Sequence, residues 1–469
     1  MASDRLVYED LHFPTYVNSR TAMVLGYNNG KEDRVLEVPV SEVMKAVELA
    51  GGSVLNVGDT RTGKSQAMMD IHRHHFGGDA DSGGRANWIV ARNDFTADGY
   101  YMTIDQSKYG EGNGMLSEAR VPVEKRVKAL ATSVDEINLA IPEMQVEYFG
   151  IGEGRHRDIE LGEEGYFLFQ ASCNMNRVNG DFAGTSKINR ALLNRIMVTI
   201  DHDRYRRTDE DDDVLSERTA SGRLNLAPIR DISGKILSVH NEIKKASSKR
   251  EPWSDAYLRI LSSGLDYCEK DKDKLKKRAW PIRCGDCDFS QKDLCSLVKH
   301  SNTGTVGALK RFMLGTDYLM KLKHGNISID PLDLMLESFK FTTYHGNLNE
   351  IEINSRYYGE DQELMEDVVD KLREKIEPVK KYIDLAVDNA FNNNLPELRF
   401  IDIGAGQDKK SIVYSQENLS KLDKIKSQGK QLEFRVVAPF DNFASDTGIR
   451  MDWLKGYLES LGKSRVLEK

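Results

Sequence analysis

The stretch Gly58-Asp59-Thr60-Arg61-Thr62-Gly63-Lys64-Ser65 decides the fold of this chain. It matches the pattern G-x-x-x-x-G-K-[ST], and it lies between an apolar run (53–57) that predicts a buried strand and a helix that begins at about Lys64. Glycines let the backbone curl so that successive N–H groups and the helix N-terminus face one point, which suits several negative charges. These eight residues are therefore predicted to hold a nucleotide, with Lys64 at the β- and γ-phosphates and the Ser65 hydroxyl on Mg²⁺.

Further apolar runs follow the loop, with helical sequence between them. The runs are 88–91, 129–134, 166–171 and 196–200. Strands that alternate with helices in this way are typical of a parallel sheet covered by helices. We predict an α/β nucleotide-binding core over residues 40–203, which starts with a helix (40–49) and follows an N-terminal extension (1–39).

Carboxylates come directly after the run 130–134. An acid beside Mg²⁺ and an acid that polarises water have different tasks, so Asp135 is expected to join Ser65 around the metal, and Glu136 to activate the attacking water. We expect this acidic pair on a strand neighbouring the strand of the phosphate loop.

Two further polar residues follow predicted core elements. Asn174 ends the third strand, where its uncharged amide could bond both the γ-phosphate and the water. Arg195 lies at a helix end before the last core strand, from which it cannot easily reach its own nucleotide. In a ring, however, it could neutralise transition-state charge in the neighbouring subunit, so Arg195 is the predicted finger and Arg190 the alternative.

Beyond the core the sequence predicts a helical lid over residues 204–355. Amphipathic patterns over 232–246 and 305–322 predict two of its helices, and the acidic run 209–213 predicts a solvated loop. A cysteine-rich insertion at about 247–300 interrupts the lid.

The C-terminal region, residues 356–469, is predicted to contain a long helix and a small α/β appendage. The helix covers 361–389 and is expected to break or kink before Pro378. In the appendage, strand-like runs (398–403 and 432–437) alternate with helix-like ones (418–427 and 449–461).

Cys268, Cys284, Cys287 and Cys295 cluster in the insertion. The C-x2-C spacing of Cys284 and Cys287 lets two thiolates bind one ion from a tight turn, and four cysteines, or three with His300, complete a tetrahedral zinc site. A four-iron, four-sulfur cluster also takes four thiolates, and unliganded thiols are a third possibility. The sequence favours structural zinc.

Composition limits the classes of function. The chain has 469 residues, a net charge of -8 and a mean hydropathy of -0.52, without the basic excess typical of nucleic-acid binding. No apolar run approaches the roughly 20 residues that cross a bilayer, and no signal peptide is visible at the N-terminus. We therefore expect a cytoplasmic protein of two or three structural units, without membrane insertion.

The motifs around the acidic pair resemble a known family. Val134-Asp135-Glu136-Ile137-Asn138-Leu139-Ala140 is similar to the acidic-pair motif of the MoxR-like AAA+ ATPases, particularly the CbbQ, NorQ and GvpN group. Residues 171–176 and 191–195 resemble the sensor and arginine-finger regions of that group. The resemblance covers 40–203 well and 301–345 loosely. It implies a hexameric ring with nucleotide between subunits, and a chaperone-like activator that often acts with a von Willebrand factor A domain protein.

The chain departs from this family in the lid. Where the family begins a helix with Ser/Thr-x-Arg, this sequence has Thr305-Val306-Gly307. The lid arginine that touches nucleotide is thus either missing or displaced to Lys310 or Arg311.

Three functions are compatible with these residues. The favoured one is an Mg-ATP-hydrolysing ring ATPase that remodels a protein client. A nucleic-acid-stimulated motor or nuclease-associated NTPase uses the same core, although the acidic composition weighs against it. An ATP-binding switch with little turnover is the third, and the intact Glu136 and Arg195 argue against that one.

Overall fold

The computed structural model describes most of the chain. The described residues are 5–30, 32–104, 120–174, 186, 188–218, 227–249, 251–266, 294–342, 347–393, 398–403, 410–413, 432–437, 454, 457, 458, 460 and 461. They form two compact units. Unit one consists of Met1–Lys249, Gly307–Gly346 and Ile353–Glu363, and unit two of Arg250–Val306, Asn347–Glu352 and Leu364–Lys469.

The strands are numbered here along the chain. They are β1 (Thr21–Asn28), β2 (Asp33–Pro39), β3 (Ser53–Gly58), β4 (Ala86–Val90), β5 (Met102–Ile104), β6 (Arg120–Pro122), β7 (Ala131–Asp135), β8 (Arg155–His156), β9 (Ile159–Glu160), β10 (Leu168–Asn174), β11 (Val198–Asp201), β12 (Ser328–Ile329), β13 (Leu398–Ile403), β14 (Lys410–Val413) and β15 (Leu432–Val437).

Helices connect and cover these strands. The α-helices are Val40–Ala50, Lys64–Asp70, Ala97–Tyr101, Glu124–Val127, Pro142–Gln145, Glu147–Gly152, Arg190–Leu193, Asp209–Arg218, Ser233–Ser248, Pro252–Ser262, Leu294–Leu297, Thr303–His324, Pro331–Thr342, Glu350–Arg356 and Asp361–Asn393. Short 3-10 helices cover Tyr8–Leu11, Ala80–Ser82, Ile137–Leu139 and Gly264–Asp266, and one π-helical turn covers Ile71–His75.

A five-stranded sheet in the order β11-β3-β10-β7-β4 forms the core of unit one. Every pairing in it is parallel, as the sequence predicts. All six residues of β3 are buried, which explains why the strand consists mainly of apolar residues, with Ser53 and Asn56 as its two polar ones. The carboxyl ends of the strands meet at one edge, because Asn174 pairs with Gly58, and Ala171 with Val134.

The helix before the phosphate-loop strand also matches its prediction. It covers Val40–Ala50 and ends at Gly51, whose φ of 61° places it in the left-handed region that favours glycine. This turn returns the chain into β3.

An antiparallel ladder in unit one is not predicted by the sequence. β1 and β2 form a hairpin, and β12 pairs with the other edge of β1. The bond from the Val24 N–H to the Glu337 carboxylate (3.2 Å) joins the same parts of the chain. Because β12 and Glu337 are so far from β1 in the sequence, no local pattern indicates these two contacts.

The run 209–213 forms the first half of the helix Asp209–Arg218 rather than the predicted loop, although four of its five side chains are exposed, as predicted. Thr208 and Asp211 form a capping pair: the Asp211 N–H donates to Thr208 Oγ1 at 3.2 Å, and the Thr208 N–H donates to Asp211 Oδ2 at 3.0 Å. Asp211 is buried and also accepts the Ser19 N–H at 2.8 Å. Acidic side chains in a first helical turn are favourable, so the charge density is compatible with the helix.

The other predicted helices are present. Those predicted over 232–246 and 305–322 are Ser233–Ser248 and Thr303–His324, and the long helix predicted over 361–389 is Asp361–Asn393. This last helix continues through Pro378, so of the predicted break or kink the break does not occur. Proline removes one backbone hydrogen bond. The buried side chains of Ile376 and Val379, on either side of it, keep the helix packed.

The C-terminal part of unit two contains the antiparallel sheet β14-β13-β15. β13 and β15 confirm the predicted strands, whereas β14 is not predicted. The predicted helix over 418–427 lies outside the described residues, and the described positions between 454 and 461 are helical. Within the part of the chain that the structure describes, no helix is long and apolar enough to cross a membrane.

Candidate nucleotide site

The phosphate loop follows β3 and adopts a backbone that few residues tolerate. Gly58 has a φ of 145°, Gly63 of 95° and Arg61 of 66°. A Cβ at Gly63 would lie 3.3 Å from the Tyr16 ring, so both the backbone and the space require glycine there. The loop is thus curled onto the start of the helix Lys64–Asp70, as an anion site needs.

Lys64 lies at the centre of this curl and is buried. Its Nζ donates to the carbonyl of Gly58 at 2.8 Å and to the hydroxyl of Thr62 at 3.3 Å. Burial lowers the pKa of Lys64, and the Asp203 carboxylate opposes this effect. Burying an ammonium costs free energy unless an opposite charge lies next to it. Binding of a phosphate beside Lys64 would offset this cost.

Ser65 and Asp135 meet, as the magnesium prediction requires. Ser65 Oγ donates to Asp135 Oδ1 at 2.8 Å, and Ser172 Oγ donates to the same oxygen at 2.5 Å. A hydroxyl beside a carboxylate at a phosphate loop is a donor set suited to Mg²⁺, which takes one or two protein oxygens and completes its shell with phosphate and water. Ser65 and Asp135 would hold the ion.

Glu136 and Asn174 are also brought together. Asn174 Nδ2 donates to Glu136 Oε1 at 2.9 Å. Glu136 has a φ of 53°, in the left-handed region, and its N–H donates to Ser172 Oγ at 2.8 Å. Both side chains line the same pocket as Lys64, which places the predicted base and the predicted sensor beside the phosphate loop.

The sheet order differs from the prediction in one respect. The acidic strand β7 does not neighbour β3, because β10 lies between them. Asp135 nevertheless reaches Ser65, because Ser65 lies on the helix after β3 rather than on the strand itself. The intervening strand contributes Ser172, a site residue that the sequence analysis misses.

The pocket has a volume of about 720 Å³, within the range of small-ligand sites. One wall is the N-terminal segment 15–17, which no motif in the sequence indicates. Asp70, fully buried on the helix after the loop, holds this wall: its carboxylate accepts the N–H groups of Thr15 at 3.1 Å and Tyr16 at 2.6 Å. Among the residues that the structure describes, the lining is 15–17, 60–66, Glu136, Asn174, Arg207, Asp212, Leu215 and Ser216.

Arg195 lies away from this pocket and is not part of its lining. Its Nε is 2.8 Å from Glu153 Oε1, and its guanidinium lies 5.1 Å from the centre of the Phe149 ring. About a third of the side chain is exposed. Arg195 is therefore not in contact with the nucleotide site of its own chain.

The predicted cysteine site falls mostly outside the described residues. Cys268, Cys284 and Cys287 lie in the range 267–293, and only Cys295, on the helix Leu294–Leu297, is described. In the described ranges no group of three or more His, Cys, Asp or Glu side chains is arranged to hold a metal. Zinc, like the alternative iron–sulfur cluster, remains a prediction from the sequence. Cys173, on β10 next to the phosphate-loop strand β3, is buried.

Comparison with known proteins does not assign the chain to a family. No protein-family model and no curated protein matches the chain. Among solved structures it is similar to a protein of Cytophaga hutchinsonii ATCC 33406 that is provisionally assigned as an ATPase, with 14% identity and a TM-score of 0.47 over 70% of this chain and 87% of that one. It is also similar to the active helicase Cch of SCCmec type IV, with 12% identity and a TM-score of 0.30 over 87% of this chain and 63% of that one. At such scores the likeness carries no argument about function, which rests on the site.

Proposed function

We propose that the protein is an Mg-ATP-hydrolysing ATPase of the P-loop class. The observation that carries this proposal is the contact of Ser65 with Asp135 beside the buried Lys64, with Glu136 and Asn174 at the same edge of the sheet. Phosphoryl transfer needs positioned charge more than covalent chemistry, and these groups supply it.

Each residue has a distinct part in hydrolysis. The N–H groups of the loop and Lys64 bind the phosphates, while Ser65 and Asp135 hold Mg²⁺. Glu136 orients the water for in-line attack on the γ-phosphorus and accepts its proton, and the amide of Asn174 fixes the Glu136 carboxylate. The bond to the leaving β-phosphate oxygen breaks as the bond to water forms, giving ADP and inorganic phosphate.

The proposed assembly is a homo-hexameric ring of the MoxR-like AAA+ kind. The motif resemblance supports it, and so does the position of Arg195, which is partly exposed and outside its own pocket. An arginine of this kind acts on the nucleotide of a neighbouring subunit. The proposed role is the remodelling or activation of a protein client, with a von Willebrand factor A domain protein as the expected partner.

The test is steady-state ATP hydrolysis with Mg²⁺ by the full-length protein. We expect turnover by the wild type, none by Lys64→Ala or Arg195→Ala, and recovered turnover when these two inactive variants are mixed. In the mixture the Lys64→Ala subunit supplies Arg195 to a neighbour with an intact phosphate loop.

Arg155→Ala is the matched control, because Arg155 is also an exposed partner of Glu153. This variant should keep wild-type turnover. Binding of ATP without hydrolysis by the assembled wild type would replace the ATPase proposal with the switch. Turnover that depends on added DNA or RNA would favour the nucleic-acid motor.

A further inference from the structure

Arg207 is a charged residue of the pocket that none of the sequence motifs includes. It lies between β11 and the helix Asp209–Arg218, and its side chain lines the same cavity as Lys64 and Ser65. Its Nη1 atom lies 3.5 Å from the position that a Cβ at Gly63 would take. The guanidinium thus lies against the phosphate loop at Gly63, the residue before the helix Lys64–Asp70, beside the Tyr16 ring.

The charge of Arg207 acts in the same place as that of Lys64. Burial first, and then the positive charges of Lys64 and Arg207, together lower the pKa of His202, behind the loop, to about 3. Lys64 and Arg207 therefore place positive charge in the same part of the cavity, which favours an anion there.

Arg207 is paired in the structure with a carboxylate that a phosphate can displace. Arg207 Nε donates to Asp212 Oδ1 at 3.0 Å, but the Asp212 side chain is 60% exposed. Exposed ion pairs contribute little, whereas a guanidinium binds phosphate through two parallel hydrogen bonds at higher charge. Asp212 also lines the pocket, so an incoming phosphate chain meets both members of the pair.

The lid arginine of the resembled family does not fill this place. Neither Lys310 nor Arg311, its predicted substitutes, belongs to the pocket lining that the structure describes. Burial lowers the pKa of Arg311.

We propose that Arg207 binds the phosphate chain of the nucleotide within its own subunit, exchanging its bond to Asp212 for bonds to phosphate oxygens. Because the guanidinium lies beside the loop backbone at Gly63, and such a backbone cradles the α- and β-phosphates, the contact is made with the phosphates that ATP and ADP share. This inference rests on the proposed nucleotide site and adds to it a residue outside the loop motif.

The test is equilibrium binding of ADP to the full-length protein by calorimetry, so that no turnover interferes. Arg207→Ala should weaken ADP binding by roughly 10- to 100-fold, the effect of losing a hydrogen bond to a charged group. Arg207→Lys keeps the charge without the planar fork and should recover part of the affinity. Arg206→Ala, in an exposed neighbour outside the pocket lining, should bind ADP within about twofold of the wild type.

Asp212→Asn separates a direct contact from an indirect one. If Arg207 touches phosphate, Arg207→Ala weakens ADP binding in the Asp212→Asn background as well. Loss of that effect in this background would show that Arg207 acts only through its ion pair, and would overturn the inference. An Arg207→Ala protein that binds ADP like the wild type would overturn it too.

The inference and the proposed function fail differently. A wild type that binds neither ADP nor ATP refutes the nucleotide site, and Arg207 with it. A wild type whose nucleotide binding needs Lys64 but not Arg207 keeps the proposed function and refutes only the role of Arg207.

Discussion

Ser172→Ala should slow ATP turnover strongly, although Ser172 carries no charge and is not part of the pocket lining. Ser172 is buried in the central strand β10, where it donates to Asp135 Oδ1 at 2.5 Å and accepts the Glu136 N–H at 2.8 Å. It therefore connects the proposed metal-binding carboxylate with the proposed base. The residue after Asp135 has a left-handed backbone, which costs energy unless its surroundings hold it.

The magnitude follows from these two bonds. A hydrogen bond to a charged group contributes about 1.5–3 kcal/mol, and alanine also leaves the Glu136 N–H without this acceptor. If most of that energy is expressed in the transition state, kcat falls by roughly 10- to 100-fold. Binding of ATP should change little, because Ser172 does not line the pocket and these two bonds involve neither the loop backbone nor Lys64.

The assay compares kcat, the binding constant for ATP and the thermal midpoint in Ser172→Ala and Ser133→Ala. Ser133 is a fully buried serine of the adjacent strand β7, where it accepts a hydrogen bond from the Gln170 amide at 2.6 Å. Both variants should lose comparable stability, but only Ser172→Ala should lose turnover. Equal turnover in the two variants would refute the positioning role of Ser172.

Two further predictions concern Glu136 and His202. Glu136→Gln should bind ATP normally but hydrolyse it at least about 100-fold more slowly, since an amide cannot accept the proton of the water; normal hydrolysis would refute the assignment of the base. Burial lowers the pKa of His202 from 6.5 to about 3, so the unfolded state binds the proton first and stability falls as the pH drops below 6.5. Between pH 7.5 and 5.5 this amounts to about 1.4 kcal/mol. The thermal midpoint of His202→Gln should therefore fall less over this interval than that of the wild type, and an equal fall would contradict the assignment.

The parts of the fold that the sequence predicts are those that local pattern determines. A strand buried on both faces in a parallel sheet is a continuous apolar run, so the five core strands are visible without any knowledge of their partners. The phosphate loop can be predicted for the same reason, because its glycines and Lys64 lie in one short continuous segment, 58–65. The order of the strands depends on the path between them, and the position of β10 between β3 and β7 is not encoded in any one segment.

The acidic run 209–213 shows how a local pattern can mislead. Its charge density is typical of a solvated surface, and it carries almost no apolar periodicity. The helix forms because Thr208 caps it and because Asp211 finds a backbone donor, the Ser19 N–H, that is remote in sequence. The charge pattern thus indicates the exposure of four of the five side chains, but not the helix, which depends on the cap and on the remote donor.

Two buried carboxylates, Asp211 and Asp70, explain why the N-terminal segment belongs to the site. Asp70, on the helix after the phosphate loop, accepts the N–H groups of Thr15 and Tyr16, and Asp211 accepts that of Ser19. Two buried carboxylates on different helices thus hold the short segment 15–19 near its two ends. A buried carboxylate needs such donors, because burying a charge without partners costs far more free energy than burying a neutral polar group. One of these carboxylates lies on the helix that follows the phosphate loop, and the other on the helix that follows Arg207. The wall of the pocket is therefore held by the need of these two carboxylates for hydrogen-bond donors, rather than by a motif in the segment itself.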